Sequence, residues 1–163
     1  MSTTDNLKEA FAGESQANRK YLAFAKKADE EGYAQVATLF RAAADAETVH
    51  ALAHLGVLGG INGTADNLKE AISGETHEFK SMYPKMIEEA KAEGNSAADM
   101  SFSNANTVEE IHAGLYQKAL DSLGSNAATD YYVCQVCGNT VEGEAPERCP
   151  ICGSPKAMFK LVD

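Results

Sequence analysis

Apolar residues recur at three- and four-residue intervals through most of the chain, the spacing that gathers them on one side of a helix. The first such run predicts a helix from about Asn6 to Glu31, ended by Gly32, with Leu7, Phe11, Glu14, Tyr21 and Ala25 on its inner face. A second helix follows almost at once, from about Tyr33 to Leu58, with Val36, Phe40, Ala43, Glu47, His50 and His54 facing in. A third runs from about Asn67 to Ala92, with Leu68, Ile72, Glu75, Glu78, Phe79, Met82 and Met86 inward. Pro84 lies inside it and has no N–H for the carbonyl of residue 80, which predicts a kink or bulge.

The fourth helix is not legible from local preference, because Asn95–Thr107 has the composition of a loop. A repeat supplies it instead. Residues 5–15 read DNLKEAFAGES and residues 66–76 read DNLKEAISGET, an offset of 61. Glu47-Thr48-Val49-His50 is echoed by Glu109-Glu110-Ile111-His112, an offset of 62. The second helix begins about fourteen residues before Glu47, so the fourth should begin near Asn95. Asn6 with Glu9, and Asn67 with Glu70, read as matching N-caps and their reciprocal partners. The expected fold is therefore an all-α four-helix bundle, internally duplicated, over 1–124, followed by a polar linker over 125–130 and a small module over 131–163.

That module contains every cysteine, as Cys134-x-x-Cys137 and Cys149-x-x-Cys152, each pair followed by glycine. Four thiolates at this spacing make a tetrahedral site for zinc or a single iron, and the spacing alone does not choose between them. The chain opens without a basic region or an apolar run, so no export signal is expected and the cysteines read as metal ligands rather than disulfides. A cytoplasmic protein is the corresponding expectation. The formal net charge of −10 argues against binding nucleic acid or an anionic membrane through bulk electrostatics.

Four carboxylates change the picture. Glu14, Glu47, Glu75 and Glu109 fall on inner faces among apolar residues and are related by the repeat. Burying unpaired carboxylates costs several kcal/mol apiece. One Glu from each of two helices and a Glu-x-x-His from each of the other two form a two-metal site in a bundle core. Glu78 lies on the same face as Glu75, and its counterpart in the first half is Ala17. His54 and His77 have no repeat partner; the first reads as packing and the second as surface.

With these motifs in place, the chain resembles the rubrerythrin family of ferritin-like proteins over essentially its full length. The resemblance is carried by Gly13-Glu14-Ser15, Glu47-x-x-His50, Gly74-Glu75-Thr76-His77-Glu78, Glu109-x-x-His112, and the tail with Cys149-Pro150-Ile151-Cys152-Gly153. It implies that Glu47 and Glu109 bridge two irons. It assigns Glu14 and His50 to one iron, with Glu78 as that iron's alternative ligand, and Glu75 and His112 to the other. Tyr21 and Tyr83 match family tyrosines near the irons and would donate hydrogen bonds to a carboxylate or peroxide. Cys134, Cys137, Cys149 and Cys152 would hold a single rubredoxin-type iron. The implied activity is a non-haem di-iron peroxidase, which reduces hydrogen peroxide to water with electrons relayed through the tetracysteine iron. A reductase or rubredoxin would supply those electrons from NAD(P)H. The competing reading is a ferroxidase or iron-storage protein, against which the electron-carrier tail speaks.

In ferritin-like bundles the second and third helices run the same way, so the chain must return along the bundle between them. That return needs ~28 Å along the axis. The nine steps from Leu58 to Asn67 reach only ~30 Å fully extended, and the glycines there are poorly suited to a taut strap. The expectation is a homodimer whose helix pairs are swapped between subunits.

Overall fold

In the computed structural model, which describes residues 2–162, the chain divides into two compact units, Met1–Asn62 and Gly63–Asp163. Met1 and Asp163, the end residues of the expected domains, lie outside the described residues.

The first unit is a helical hairpin of α1 (Thr3–Glu30) and α2 (Ala34–Val57). Ser2 caps α1: its hydroxyl accepts from the Asp5 amide at 3.1 Å, and the Asp5 carboxylate accepts from the Ser2 amide at 2.8 Å. The expected cap at Asn6 and Glu9 is therefore displaced one turn upstream. Ser2 and Asp5 offer the same reciprocal pair, and an acid in the first turn suits the helix dipole. The hairpin turns on Gly32, at φ +84°. Tyr33 N–H reaches the Ala28 carbonyl and Gly32 N–H that of Asp29, the paired bonds of a Schellman cap.

Small residues build the interface between the two helices. Ala25 and Ala28 of α1 and Ala37, Ala44 and Ala51 of α2 are buried. Asn18 ties the pair, its amide donating to the Ala44 carbonyl at 2.7 Å and to Thr48 Oγ1 at 2.8 Å. The sequence places Val36 on the inner face, but it is 46% exposed, because the alanine row lets the backbones approach and leaves the bulkier stripe to one side.

The second unit begins with α3 (Thr64–His77), capped at Gly63 rather than at Asn67, again one turn upstream. Thr3 and Thr64 open their helices at the repeat offset of 61. A π-helical turn over Glu78–Met82 then leads into α4 (Tyr83–Ala92). The turn is the bulge expected from Pro84: widening the helix ahead of the ring removes the clash with the carbonyl four residues back. It also inserts one residue into the helical phase. The inward positions slip by one, so Ile87 is half-buried while Met86, expected inward, is 36% exposed. Gly94 (φ +69°) repeats the Schellman turn of Gly32, with Asn95 N–H bonded to the Ala90 carbonyl.

Helix α5 (Ser96–Asp121) starts where the repeat places it, with Asn95 as its cap accepting from the Ala98 amide at 3.1 Å. It packs on α3 and α4. The tail is a three-stranded antiparallel sheet of β1 (Tyr131–Cys134), β2 (Thr140–Glu142) and β3 (Phe159–Val162), in the order β2-β1-β3. Cys134 pairs with Phe159 and Val133 with Thr140.

Candidate metal centres

Three ligand sets emerge among the described residues. In the first unit, ligand atoms of Glu14, Glu47 and His50 lie within 4.8 Å of one another. Glu47 and His50 share a face one turn apart on α2, which brings His50 Nδ1 to 2.9 Å from Glu47 Oε2. Glu14, from α1, is 4.0 Å from the same nitrogen. The second unit repeats the arrangement with Glu75, Glu109 and His112, also within 4.8 Å. Here Glu109 and His112 stand on α5, with His112 Nδ1 at 2.8 Å from Glu109 Oε2 and 3.7 Å from Glu75 Oε1.

The acids in these sets strain against one another. A hydrogen bond shared with Glu47, then burial, holds the Glu14 carboxyl above its usual range. The same shared bond, with that from His50, holds Glu47 below it. Burial, then the charge of Glu109, raises Glu75, while His112 works in the opposite sense. Carboxylates crowded this way without a cation carry a standing electrostatic cost, and two carboxylates with one imidazole suit a hard or borderline metal ion. The donor sets therefore fit iron.

Glu78 is outside both three-ligand clusters, yet its charge is felt at Glu75 and at Tyr83. It occupies the first position of the π turn, where the backbone departs from α geometry. Burial, then the charges of Glu109, Glu78 and Glu75, raises the Tyr83 phenol, which keeps it a neutral O–H donor facing the acids. Tyr21 sits in an aromatic group, with ring centroids 6.2 Å from Phe40 and 6.3 Å from Phe24. His77 is exposed, and the half-buried His54 contributes to the field at Glu14.

The four cysteines converge in the tail. Cys134 and Cys152 sulfurs are 3.7 Å apart, and Cys137 and Cys149 sulfurs 3.6 Å. A tetrahedron with metal–sulfur bonds of ~2.3 Å has edges of ~3.8 Å, so the cage has the size for one tetrathiolate metal and is too open for disulfides. The two knuckles share one set of backbone bonds. Cys134 N–H bonds to Asn139 O at 2.9 Å, and Cys149 N–H to Ser154 O at 2.8 Å; Gly138 and Gly153, both at positive φ, return their N–H groups to Cys134 and Cys149.

The residue after each glycine also reaches sulfur, Asn139 Nδ2 to Cys149 at 3.7 Å and Ser154 Oγ to Cys152 at 3.1 Å. Burial acts to raise the Cys152 thiol, but the Ser154 hydroxyl and amide, with Cys137 and Cys149, outweigh it and bring it down to about 6. Burial pushes Cys137 up to about 12. Asn139 and Ser154 were not singled out from sequence. Their shared place after Cys-x-x-Cys-Gly was the available signal.

Sequence reasoning also missed how the tail seats on α5. Lys118 Nζ lies 2.6 Å from Glu142 Oε2, and His112 Nε2 lies 2.9 Å from Thr140 Oγ1. Nothing in the spacing of these residues announces the contact.

Comparison with known proteins agrees with this geometry. Residues 5–120 match the family model described as Rubrerythrin, and residues 132–160 that of the rubrerythrin rubredoxin-like domain. Rubrerythrin-2 of Clostridium acetobutylicum is 38% identical, over 97% of this chain and 95% of that protein. Nigerythrin of Nitratidesulfovibrio vulgaris is 37% identical, over 97% of this chain and 85% of its own length. A solved structure of nigerythrin in a partially reduced state superposes with a TM-score of 0.61 at 37% identity, covering 99% of this chain and 87% of that one.

Proposed function

We propose that this chain, which belongs to the rubrerythrin family, reduces hydrogen peroxide to water and is re-reduced through its four-thiolate site by an NAD(P)H-linked donor. Its fold is ferritin-like with a rubredoxin-like tail, and it is an oxidoreductase with a di-iron carboxylate site and a tetracysteine iron. The observation that carries the finer reading is the presence, in one chain, of duplicated Glu/Glu/His sets and a thiolate cage of one-electron carrier type.

In this reading Glu47 and Glu109 would be shared by the two irons. Glu14 and His50 would hold one, with Glu78 as its alternative ligand, and Glu75 and His112 would hold the other. Two electrons and two adjacent Lewis-acid positions are the chemistry such a pair supplies when bound. The protein residues supply order. Tyr83, its phenol raised by burial and the neighbouring acids, donates a hydrogen bond toward oxygen, and the proposal gives Tyr21 the matching role at the first set. The overall change consumes one peroxide, two electrons and two protons and releases two waters. In functional terms 1–124 carries the iron pair, 125–130 is a tether, and 131–163 is the electron-carrier module.

We further propose that each iron pair is completed by two subunits. Each hairpin by itself supplies three ligands, half of a six-ligand site. The observed helix ends make the sequence argument tighter. Helix α2 runs about ten residues beyond Glu47, and α3 about eleven before Glu75, so a return inside one bundle spans ~31 Å. The seven steps from Val57 to Thr64 reach at most ~25 Å. Leu39, Val49 and Leu52 of α2, each more than half exposed, offer the apolar face such an exchange would cover. No helix among the described residues is long and apolar enough to cross a membrane, and we place the enzyme in the cytoplasm as part of the same proposal.

The test is stopped-flow oxidation of the dithionite-reduced, iron-loaded protein. Oxidation by one equivalent of peroxide much faster than by oxygen supports the peroxidase. Preferential reaction with oxygen, with iron accumulating beyond three per chain, would instead indicate the storage class.

A further inference from the structure

We infer that Thr140 is the positioning residue for His112, so that the second ligand set is oriented by the docked tail of its own chain. The inference rests on the di-iron reading of Glu75, Glu109 and His112. His112 Nε2 lies 2.9 Å from Thr140 Oγ1, and the same hydroxyl lies 3.1 Å from the Gly138 carbonyl. A carbonyl only accepts, so the single hydroxyl proton goes to Gly138. The oxygen is then left to accept, and the hydrogen between it and the ring belongs to Nε2. With Nε2 protonated, Nδ1 is the nitrogen available to a metal. It is also the one aimed at the acids, 2.8 Å from Glu109 and 3.7 Å from Glu75.

The donor–acceptor chain from His112 through Thr140 ends on the first cysteine knuckle, since Gly138 follows Cys137 directly. The knuckle is held against α5 on both sides of this contact. Val108, 2% exposed, packs where a side chain on Gly138 would sit, with Cγ1 3.8 Å from that point, and Lys118 pairs with Glu142. His112 is accordingly less exposed than His50, 27% against 56% for the side chains. No second hydrogen bond to His50 is seen among the described residues. Among the described residues the two imidazoles thus differ in kind, one touched by the cysteine module at Nε2 and the other bonded at Nδ1 to Glu47.

The experiment compares full-length wild type with Thr140→Val, which keeps the shape and removes the hydroxyl, and Thr140→Ser, which restores it. Ring nitrogens of histidine-labelled, zinc-loaded protein are read by long-range proton–nitrogen NMR. Cobalt(II) is then titrated into protein whose tail is already filled with zinc. Wild type and Thr140→Ser should show His112 protonated at Nε2 and metallated at Nδ1. Thr140→Val should lose that single signature and weaken cobalt binding at the second set by ~10–100-fold.

A valine variant with unchanged ring signals and unchanged cobalt affinity would overturn the inference, as would a serine variant that fails to rescue. Wild type that binds no cobalt beyond the tail would overturn the di-iron reading itself. In that case the ring nitrogens of the metal-free protein still report whether Thr140 sets the tautomer.

Discussion

If each iron pair draws one hairpin from each of two subunits, two inactive variants should rescue one another. The first carries Glu14→Ala and Glu47→Ala, leaving only His50 of its three-ligand set; the second carries Glu75→Ala and Glu109→Ala, leaving only His112. Alone, neither can assemble a complete site in any arrangement. Mixed by co-expression, random pairing makes about half the dimers mixed, and each mixed dimer joins one intact α1–α2 hairpin to one intact α3–α5 set. Half of the sites in those dimers are complete and half lack both sets, so about one quarter of all sites should recover. Selecting mixed dimers with two different affinity tags raises the expected fraction to about one half. The readouts are iron bound per chain, the visible spectrum of the ferric pair, and peroxide turnover, which should all return in the same proportion. Tag-selected mixed dimers of normal mass, folded by circular dichroism yet with no recovered sites, would refute the exchange. Each hairpin pair would then complete its site within one chain, and the reach argument for the Val57–Thr64 connection would be wrong.

The remaining predictions concern charge and docking. Glu75→Gln should stabilise the metal-free protein at neutral pH, because burial and Glu109 hold the native carboxyl above its usual value. The folded state then favours the protonated acid, so this contribution is present below the unfolded value of 4.5 and is lost as pH rises through the higher folded one. Calorimetry should show a gain of ~2–4 °C for each kcal/mol relieved, reversing when metal is added. Ser154→Ala should move the Cys152 thiol from about 6 back toward 9 in the metal-free tail, read by thiolate ultraviolet absorbance. Metal loading of that variant should need correspondingly higher pH. The Lys118–Glu142 contact should be present above the unfolded carboxyl value of 4.5 and be lost as pH falls through the depressed folded value of Glu142. It should persist below 10.5 and be lost as pH rises through the raised value of Lys118. Hydrogen exchange at the amides of β2 should rise in both limbs and in high salt, and Glu142→Gln should remove both dependences.

How much of this was legible beforehand depends on which interactions are periodic. The helix pairs were, because a duplication writes the same spacing twice: α5 begins after Asn95 although its first turns read as a loop, and only the offset of 62 from α2 located it. That these six Glu and His side chains would gather in two clusters was legible for the same reason, since Glu-x-x-His on a helix needs no tertiary knowledge to place both groups on one face. The cap at Asn6 was misplaced by one turn because Ser2 and Asp5 offer the same reciprocal pair upstream, and α3 starts one turn early as well, at Gly63, which brings no side-chain cap of its own. Met86 was misplaced for a different reason. Pro84 announced a bulge but not its size, and a π turn shifts every later residue by one position in phase.

What was invisible is what crosses between elements of unlike period. The tail meets α5 through His112, Lys118 and Val108, which share a helix but find their partners on β2 and on the glycine of a knuckle. The partner residues lie 24 to 30 positions downstream with no repeat to mark them. Yet this is the contact by which the cysteine module meets the helix that carries Glu109 and His112. A helix alone fixes where His112 stands but leaves its ring free to turn. In the inference above, a hydroxyl on β2 settles which nitrogen faces the acids. The duplicated halves are thus alike in their ligands and unlike in what steadies them, and that difference arises from the cysteine module, which has no counterpart in the first half of the chain.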